Sequence, residues 1–185
     1  MEKEILSNPI LWSPSEEQVK SSEMFRFIQN INDKYKLNLN SFSELHRWSI
    51  ENKSDFWSSI WDFFEIIGSK GTEPYIEPVN KMPGSKFFPN GSVNYAENML
   101  SGKISGPAII FKSEDKMRKE VSWKDLKSQV SSLANFLKNE GVVKGDRIAA
   151  YMPNVPETVI MMLAASSIGA IFSSASPDFG VDGVL

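Results

Sequence analysis

The stretch that decides the fold runs from Asp146 to Gly180 and reads DRIAAYMPNVPETVIMMLAASSIGAIFSSASPDFG. Its opening, DRIAAYMP, and the later AIFSSAS are short apolar runs of strand length, and Glu157 to Ser167 between them is an apolar helix. A parallel neighbour can be reached only by a connection long enough to carry the chain back to the same end of the sheet. Strand, helix, strand at these lengths therefore predicts a βαβ unit and an α/β fold with a parallel sheet. Ligands of such sheets lie beyond the carboxyl ends of the strands, which directs attention to residues 151–154 and 174–180.

The same stretch contains 20 uncharged residues from Thr158 to Pro177, long enough for a membrane span on length alone. Five serines (166, 167, 173, 174 and 176) and the break at Gly169 argue for a buried helix followed by a buried strand.

Immediately upstream, Ser122 with Asp125 caps a helix whose Leu126, Val130, Leu133 and Leu137 recur at helical spacing, ending at Gly141. Before it, PAIIFKSE and KEVSW flank a charged turn and predict a hairpin. The first hundred residues have a different grammar. Ser15 with Gln18 is a capping box opening a helix that carries Met24, Ile28, Ile31 and Tyr35, and Ser41 with Glu44 opens another. SDFWSSIWDFFEIIG predicts a helix from an N-cap at Ser54 to Gly68, with too many apolar residues for a single stripe. Pro74, Pro78, Pro83 and Pro89, with three glycines, predict an extended segment wrapped over a surface, with Phe87 and Phe88 to bury. A short helix capped by Ser92 follows.

Composition narrows the function. Twenty basic against 23 acidic side chains leave a net charge of −3, which argues against a nucleic-acid partner. The absence of cysteine excludes thiolate catalysis and cysteine-based metal sites and fits a reducing, cytoplasmic setting; a single histidine, His46, excludes a histidine-rich metal site. The first residues, MEKEILSNPILW, do not read as a secretory leader, and no membrane partner is expected. Phosphate loops, dinucleotide fingerprints, nucleophile elbows and metal-ligand spacings are missing from the 185 residues. Asp146, Glu157 and Asp178 are too scattered to form an acid and base pair, so no catalytic residue and no metal ligand is assigned.

Residues 121–180 taken together resemble the start of the large domain of acyl-adenylate-forming enzymes, the acyl-CoA synthetase superfamily. The resemblance rests on the Gly141, Gly145, Asp146, Arg147 run, the Pro153, Asn154, Pro156, Glu157 turn and the Gly169, Ala170 step. LWSPSEEQVKSSEMFRFIQNIN, DFWSSIWDFF, MPGSKFFPNGSVNYAENML and SPDFG look like the acetoacetyl-CoA synthetase family over the whole chain. Acetyl- and propionyl-CoA synthetases are the alternative within the superfamily, although they carry a Gly-Gly-Phe loop where this sequence has Ser176, Pro177, Asp178 and Phe179. A non-enzymatic interaction module descended from such an enzyme is the alternative outside it.

The resemblance implies an N-terminal helical and extended segment over residues 1–104, and over 105–185 the first βαβ units of an incomplete AMP-binding domain. It further implies a ligase that joins acetoacetate to CoA at the expense of ATP through an acyl-adenylate, with magnesium on the phosphates. The family's phosphate loop, hinge aspartate and catalytic lysine would lie beyond Leu185. The 185 residues are therefore expected to be an N-terminal piece, inactive alone, binding no cofactor alone, with the rest of the polypeptide as partner and self-association left open. One residue-level transfer is implied: the loop Ser176, Pro177, Asp178, Phe179, Gly180 corresponds to the relatives' loop lining the channel for the pantetheine arm of CoA. The other reading of that loop, with Asp178 capping a helix and Phe179 in the core, stays open at this stage.

Overall fold

A computed structural model describes residues 11–102, 105–115 and 117–184. The expectation that MEKEILSNPILW, residues 1–12, is not a secretory leader falls mostly outside the described residues. In chain order the elements are α1 (Glu16–Lys20), α2 (Glu23–Tyr35), α3 (Phe42–Glu51), α4 (Lys53–Phe63), β1 (Gly68–Ser69), β2 (Ile76–Glu77), β3 (Lys86–Phe87), β4 (Ser92–Val93), α5 (Tyr95–Ser101), β5 (Pro107–Lys112), β6 (Arg118–Ser122), α6 (Trp123–Asn139), β7 (Arg147–Tyr151), α7 (Pro156–Ser167), β8 (Ile171–Ala175) and α8 (Val181–Val184). They form two compact units, one of residues up to 65 with 70–90, the other of 66–69 with those from 91 onward.

In the first unit the Ser15 capping box forms as expected, with Ser15 Oγ accepting from the Gln18 N–H and Gln18 Oε1 from the Ser15 N–H. The single helix expected from it is two. The Ser21 and Ser22 hydroxyls donate to the carbonyls of Gln18 and Val19, and Ser22 Oγ then accepts the Phe25 N–H to start α2 afresh. Hydroxyls that bond locally to the backbone compete with helix continuation in this way. Phe27, Ile28 and Ile31 of α2 and Leu45 of α3 are buried together, whereas Met24 stays exposed. Phe27 meets Phe56 and Phe63 edge to face at 6.0 and 5.1 Å.

Helix α4 begins one residue before the expected cap Ser54, because Asn52 closes α3 by donating through Nδ2 to the Trp48 carbonyl and the chain turns there. It ends at Phe63 rather than near Gly68, with Glu65 at a φ of 50° turning the chain, and Gly68 joins β1. Residues 70–90 wrap α4 as the proline pattern predicts. Trp57 packs on Phe87 and Trp61 on Phe88, with ring centroids 5.4 and 4.9 Å apart, and Lys53 Nζ reaches the Val79 carbonyl and Asn80 Oδ1. Asp62 receives Lys34 Nζ at 3.2 Å and also Lys70 Nζ. Burial opposes its charged form, but the hydrogen bonds from Lys70 and Lys34 prevail and hold the Asp62 carboxyl below its ordinary range.

In the second unit the expected cap Ser92 instead pairs with Ser69 in the β1–β4 ladder, and Asn94 caps α5. The hairpin appears as antiparallel β5–β6. Helix α6 is capped by Ser122 Oγ on the Asp125 N–H. It buries Leu126, Val130, Ala134 and Leu137, with Leu133 half-buried. It stops in a Schellman turn, in which the Val142 N–H bonds the Leu137 carbonyl and the Gly141 N–H that of Lys138, with Gly141 at a φ of 86°. Strands β7 and β8 pair in parallel, Arg147 with Ile171 through Tyr151 with Ala175, and α7 makes the crossover. Helix α7 ends in a second Schellman turn at Gly169. The uncharged run is thus a twelve-residue helix and a strand, and no described helix is long and apolar enough to cross a membrane.

Candidate functional site

Parallel pairing sends the carboxyl ends of β7 and β8 to the same edge, so residues 151–154 and 175–180 are brought together there. The ladder runs one step past β7, where the Met152 N–H donates to the Ala175 carbonyl at 3.2 Å. Beyond it the chain departs in two loops.

The first loop leads into α7. Pro156 occupies the first helical turn, where its missing N–H costs nothing, and Pro153 offers its carbonyl to both the Val155 N–H and the Thr158 hydroxyl at 2.9 Å. Glu157 sits in the first turn of α7. Its own backbone N–H, and then Lys119 at 3.2 Å, hold its carboxyl below the ordinary range. That makes it an ionised helix-start residue, not a proton donor near neutrality.

The second loop contains all five residues assigned from the sequence, Ser176, Pro177, Asp178, Phe179 and Gly180. Ser176 organises it: its hydroxyl lies 2.9 Å from Asp178 Oδ2 and accepts the Asp178 N–H, while its carbonyl accepts the Phe179 N–H at 3.1 Å. Asp178 thus spends its carboxylate on Ser176 rather than on the start of α8. In this chain the Phe179 ring is 54% exposed.

Tyr151 closes the site. From the end of β7 its hydroxyl lies 2.9 Å from the carbonyl oxygens of both Pro177 and Phe179, so its one proton is shared between two loop carbonyls. The sequence reading placed residue 151 at the correct edge but not this tie, because the acceptors lie 26 and 28 residues away and backbone carbonyls leave no mark in a sequence.

The surface so formed offers the exposed rings of Tyr151 and Phe179, Val181 at 71% exposure and one carboxylate, with no cation on the loop itself. Among the described residues no group of three or more carboxylates or histidines is placed to hold a metal ion. His46, exposed on α3, stacks on Phe42 with centroids 6.0 Å apart and has no catalytic partner among the described residues.

Comparison with known proteins bears on this arrangement. Residues 102–184 match the family model described as AMP-binding enzyme. The acetoacetyl-coenzyme A synthetase of Rhizobium meliloti is 40% identical over 95% of the chain, and the acetoacetyl-CoA synthetase of Macaca fascicularis 37% identical over 99%. The solved acetoacetyl-CoA synthetase from Streptomyces lividans superposes with a TM-score of 0.88 at 31% identity, covering 96% of this chain and 28% of that one. The chain spans 27% of the length of either curated relative. Its homologues are acetoacetyl-CoA synthetases, and its helices and strands match part of such an enzyme.

Proposed function

We propose that this chain forms part of an acetoacetyl-CoA synthetase, a cytoplasmic ligase in which the carboxylate of acetoacetate attacks the α-phosphate of ATP and the CoA thiol then displaces AMP from the acyl-adenylate. A carboxylate is a poor acyl donor until one of its oxygens leaves as part of AMP, which is the reason for the first step. Magnesium on the phosphates would offset their charge in that step. The observation that carries the reading is the likeness to enzymes of that name over 95 to 99% of the chain, in its helical half as well as in residues 102–184.

In this reading residues 1–104 are the family's N-terminal helical and extended segment and residues 105–185 begin its adenylate-forming domain. This chain contributes none of the phosphate-handling groups. It contributes the loop of Ser176, Pro177, Asp178, Phe179 and Gly180, which faces the pantetheine arm of CoA; the exposed rings and the absence of loop cations support an uncharged arm at this place.

A relative named malonamoyl-CoA synthetase, from Penicillium aethiopicum, is 32% identical over 95% of the chain, so the acid is the part to test. Pyrophosphate exchange into ATP by the complete enzyme should be at least about tenfold more efficient with acetoacetate than with acetate or malonamate, a difference within reach of pocket contacts. Equal efficiencies would leave an acyl-CoA synthetase of another acid.

A further inference from the structure

We infer that Tyr151 is a positioning residue for thioester formation, acting by holding the loop of residues 176–180 in one conformation. The inference rests on reading that loop as the CoA-facing one.

The loop departs from β8 with little to hold it. Pro177, Asp178, Phe179 and Gly180 are all exposed, and its internal bonds all involve Ser176, which fixes a turn but does not anchor that turn to the sheet. The anchor comes from the neighbouring strand. Tyr151 is the last residue of β7, paired in register with Ala175, the last of β8, so its ring rises from the sheet edge beside the loop. Its hydroxyl then meets two loop carbonyls, those of Pro177 and Phe179, at 2.9 Å each.

Two consequences follow for a ligand. The carbonyls of Pro177 and Phe179 are held turned toward the tyrosine, so the directions in which they can accept a further donor are set by the tie. The side chains of Asp178 and Phe179, between and beside those carbonyls, are set outward in fixed positions. Tyr151 is 56% exposed itself, so its ring is not required to fill a core. A hydroxyl kept on a half-exposed ring and directed at two carbonyls serves orientation more than burial.

Tyr151→Phe keeps the ring and removes the tie. In the complete protein, hydrogen exchange at the Asp178 and Phe179 amides should speed up roughly tenfold, with exchange in β7 and α7 unchanged. In the complete enzyme, the KM for CoA should rise roughly fivefold or more while pyrophosphate exchange with acetoacetate keeps its rate. Unchanged exchange at Asp178 and Phe179 would overturn the tie itself. Faster loop exchange with an unaltered KM for CoA would overturn the role of Tyr151 in thioester formation, and an unaltered KM for CoA in Asp178→Ala as well would overturn the reading of the loop as CoA-facing. Equal losses in both half-reactions would mark the tyrosine as a general structural residue and equally overturn the inference. Tyr151→Leu, which also removes the ring, separates the contributions: an effect confined to Tyr151→Leu would assign the role to the ring and not to the hydroxyl.

Discussion

Asn94 and Ser166, 72 residues apart, are joined by a 3.1 Å hydrogen bond from Asn94 Nδ2 to the Ser166 carbonyl. The same amide group donates to the Ser167 carbonyl at 3.1 Å, while its oxygen accepts the Glu97 N–H. One side chain therefore caps the start of α5 and the end of α7 together. Each helix end would otherwise leave orphan groups, donors at one and acceptors at the other.

Asn94→Asp separates the two roles. Aspartate is as good an N-cap as asparagine, so α5 keeps its acceptor, but the donor is lost and a negative charge faces the carbonyl end of α7. We expect a loss of about 1–2 kcal/mol in urea unfolding, against a few tenths if only α5 mattered. A variant as stable as the parent would show that the bonds to Ser166 and Ser167 contribute nothing.

Gly141 and Gly169 both end helices at positive φ, 86° and 78°, but in different surroundings. A Cβ at Gly141 would meet nothing within 4 Å, whereas one at Gly169 would lie 3.0 Å from Lys144 Cγ. Gly141→Ala should cost about 1 kcal/mol, from backbone conformation alone. Gly169→Ala should cost more, and a second change, Lys144→Ala, should recover the excess only. Identical costs in thermal melts, with no recovery, would mean that the lysine stem moves aside freely.

Asp62, between Lys34 and Lys70, yields a pH signature. Its carboxyl is held below the ordinary 3.8, so its contribution to stability is fully present above that pH and is lost as pH falls through the lowered value. Burial alone would lower the Lys34 ammonium, but the hydrogen bonds and charges of Asp62 and Tyr35 together outweigh it, and the net displacement is above 10.5; that contribution is present below 10.5 and lost as pH rises further. The melting-temperature gap between the parent and Asp62→Asn should be flat near neutrality and close at both extremes. Because Asp62 is half exposed, the gap should correspond to no more than about 1 kcal/mol. A gap that persists unchanged below pH 3 would assign the effect to packing.

The 185 residues by themselves should show no saturable ATP binding in calorimetry, since no phosphate-cradling sequence is found in them. They should also bind a hydrophobic dye and self-associate, because Ile110, Phe136 and Ile171 of the second unit are each more than half exposed. A monomer that melts cooperatively without dye binding would instead favour an independent module.

What was legible in the sequence was what is local. Ser122 with Asp125 and the Gly141 stop lie within one helix, and the two apolar runs around α7 state a crossover by length alone. What was misread depends on partners far along the chain. Ser92 looks like a cap, but the β1–β4 ladder claims it and passes the role to Asn94. Nor does the sequence state that the Phe179 carbonyl accepts from the Tyr151 hydroxyl, 28 residues upstream. The ends of β7 and β8 share one edge, as the crossover length predicts, whereas the Tyr151 hydroxyl that ties the following loop to it leaves no mark in the sequence.

The segment leading into β7 is joined to the Schellman turn that ends α7: the Gly145 N–H donates to the Gly169 carbonyl at 3.0 Å, and the Ile171 N–H to the Asp146 carbonyl at 2.7 Å. The parallel pair is therefore pinned at its amino end before its first register partners, Arg147 and Ile171, which stand 24 residues apart in sequence. Slippage by two residues would have to break both bonds, so pairing proceeds from a closed starting point, as a zip fastener does from its pin. Most of the loop-closure entropy is then lost when α7 docks its ends, and the ladder toward Tyr151 and Ala175 forms with little further cost. The order of assembly this implies runs toward the edge at Tyr151 and Ala175, leaving that edge the last part of the pair to become rigid and the first to loosen.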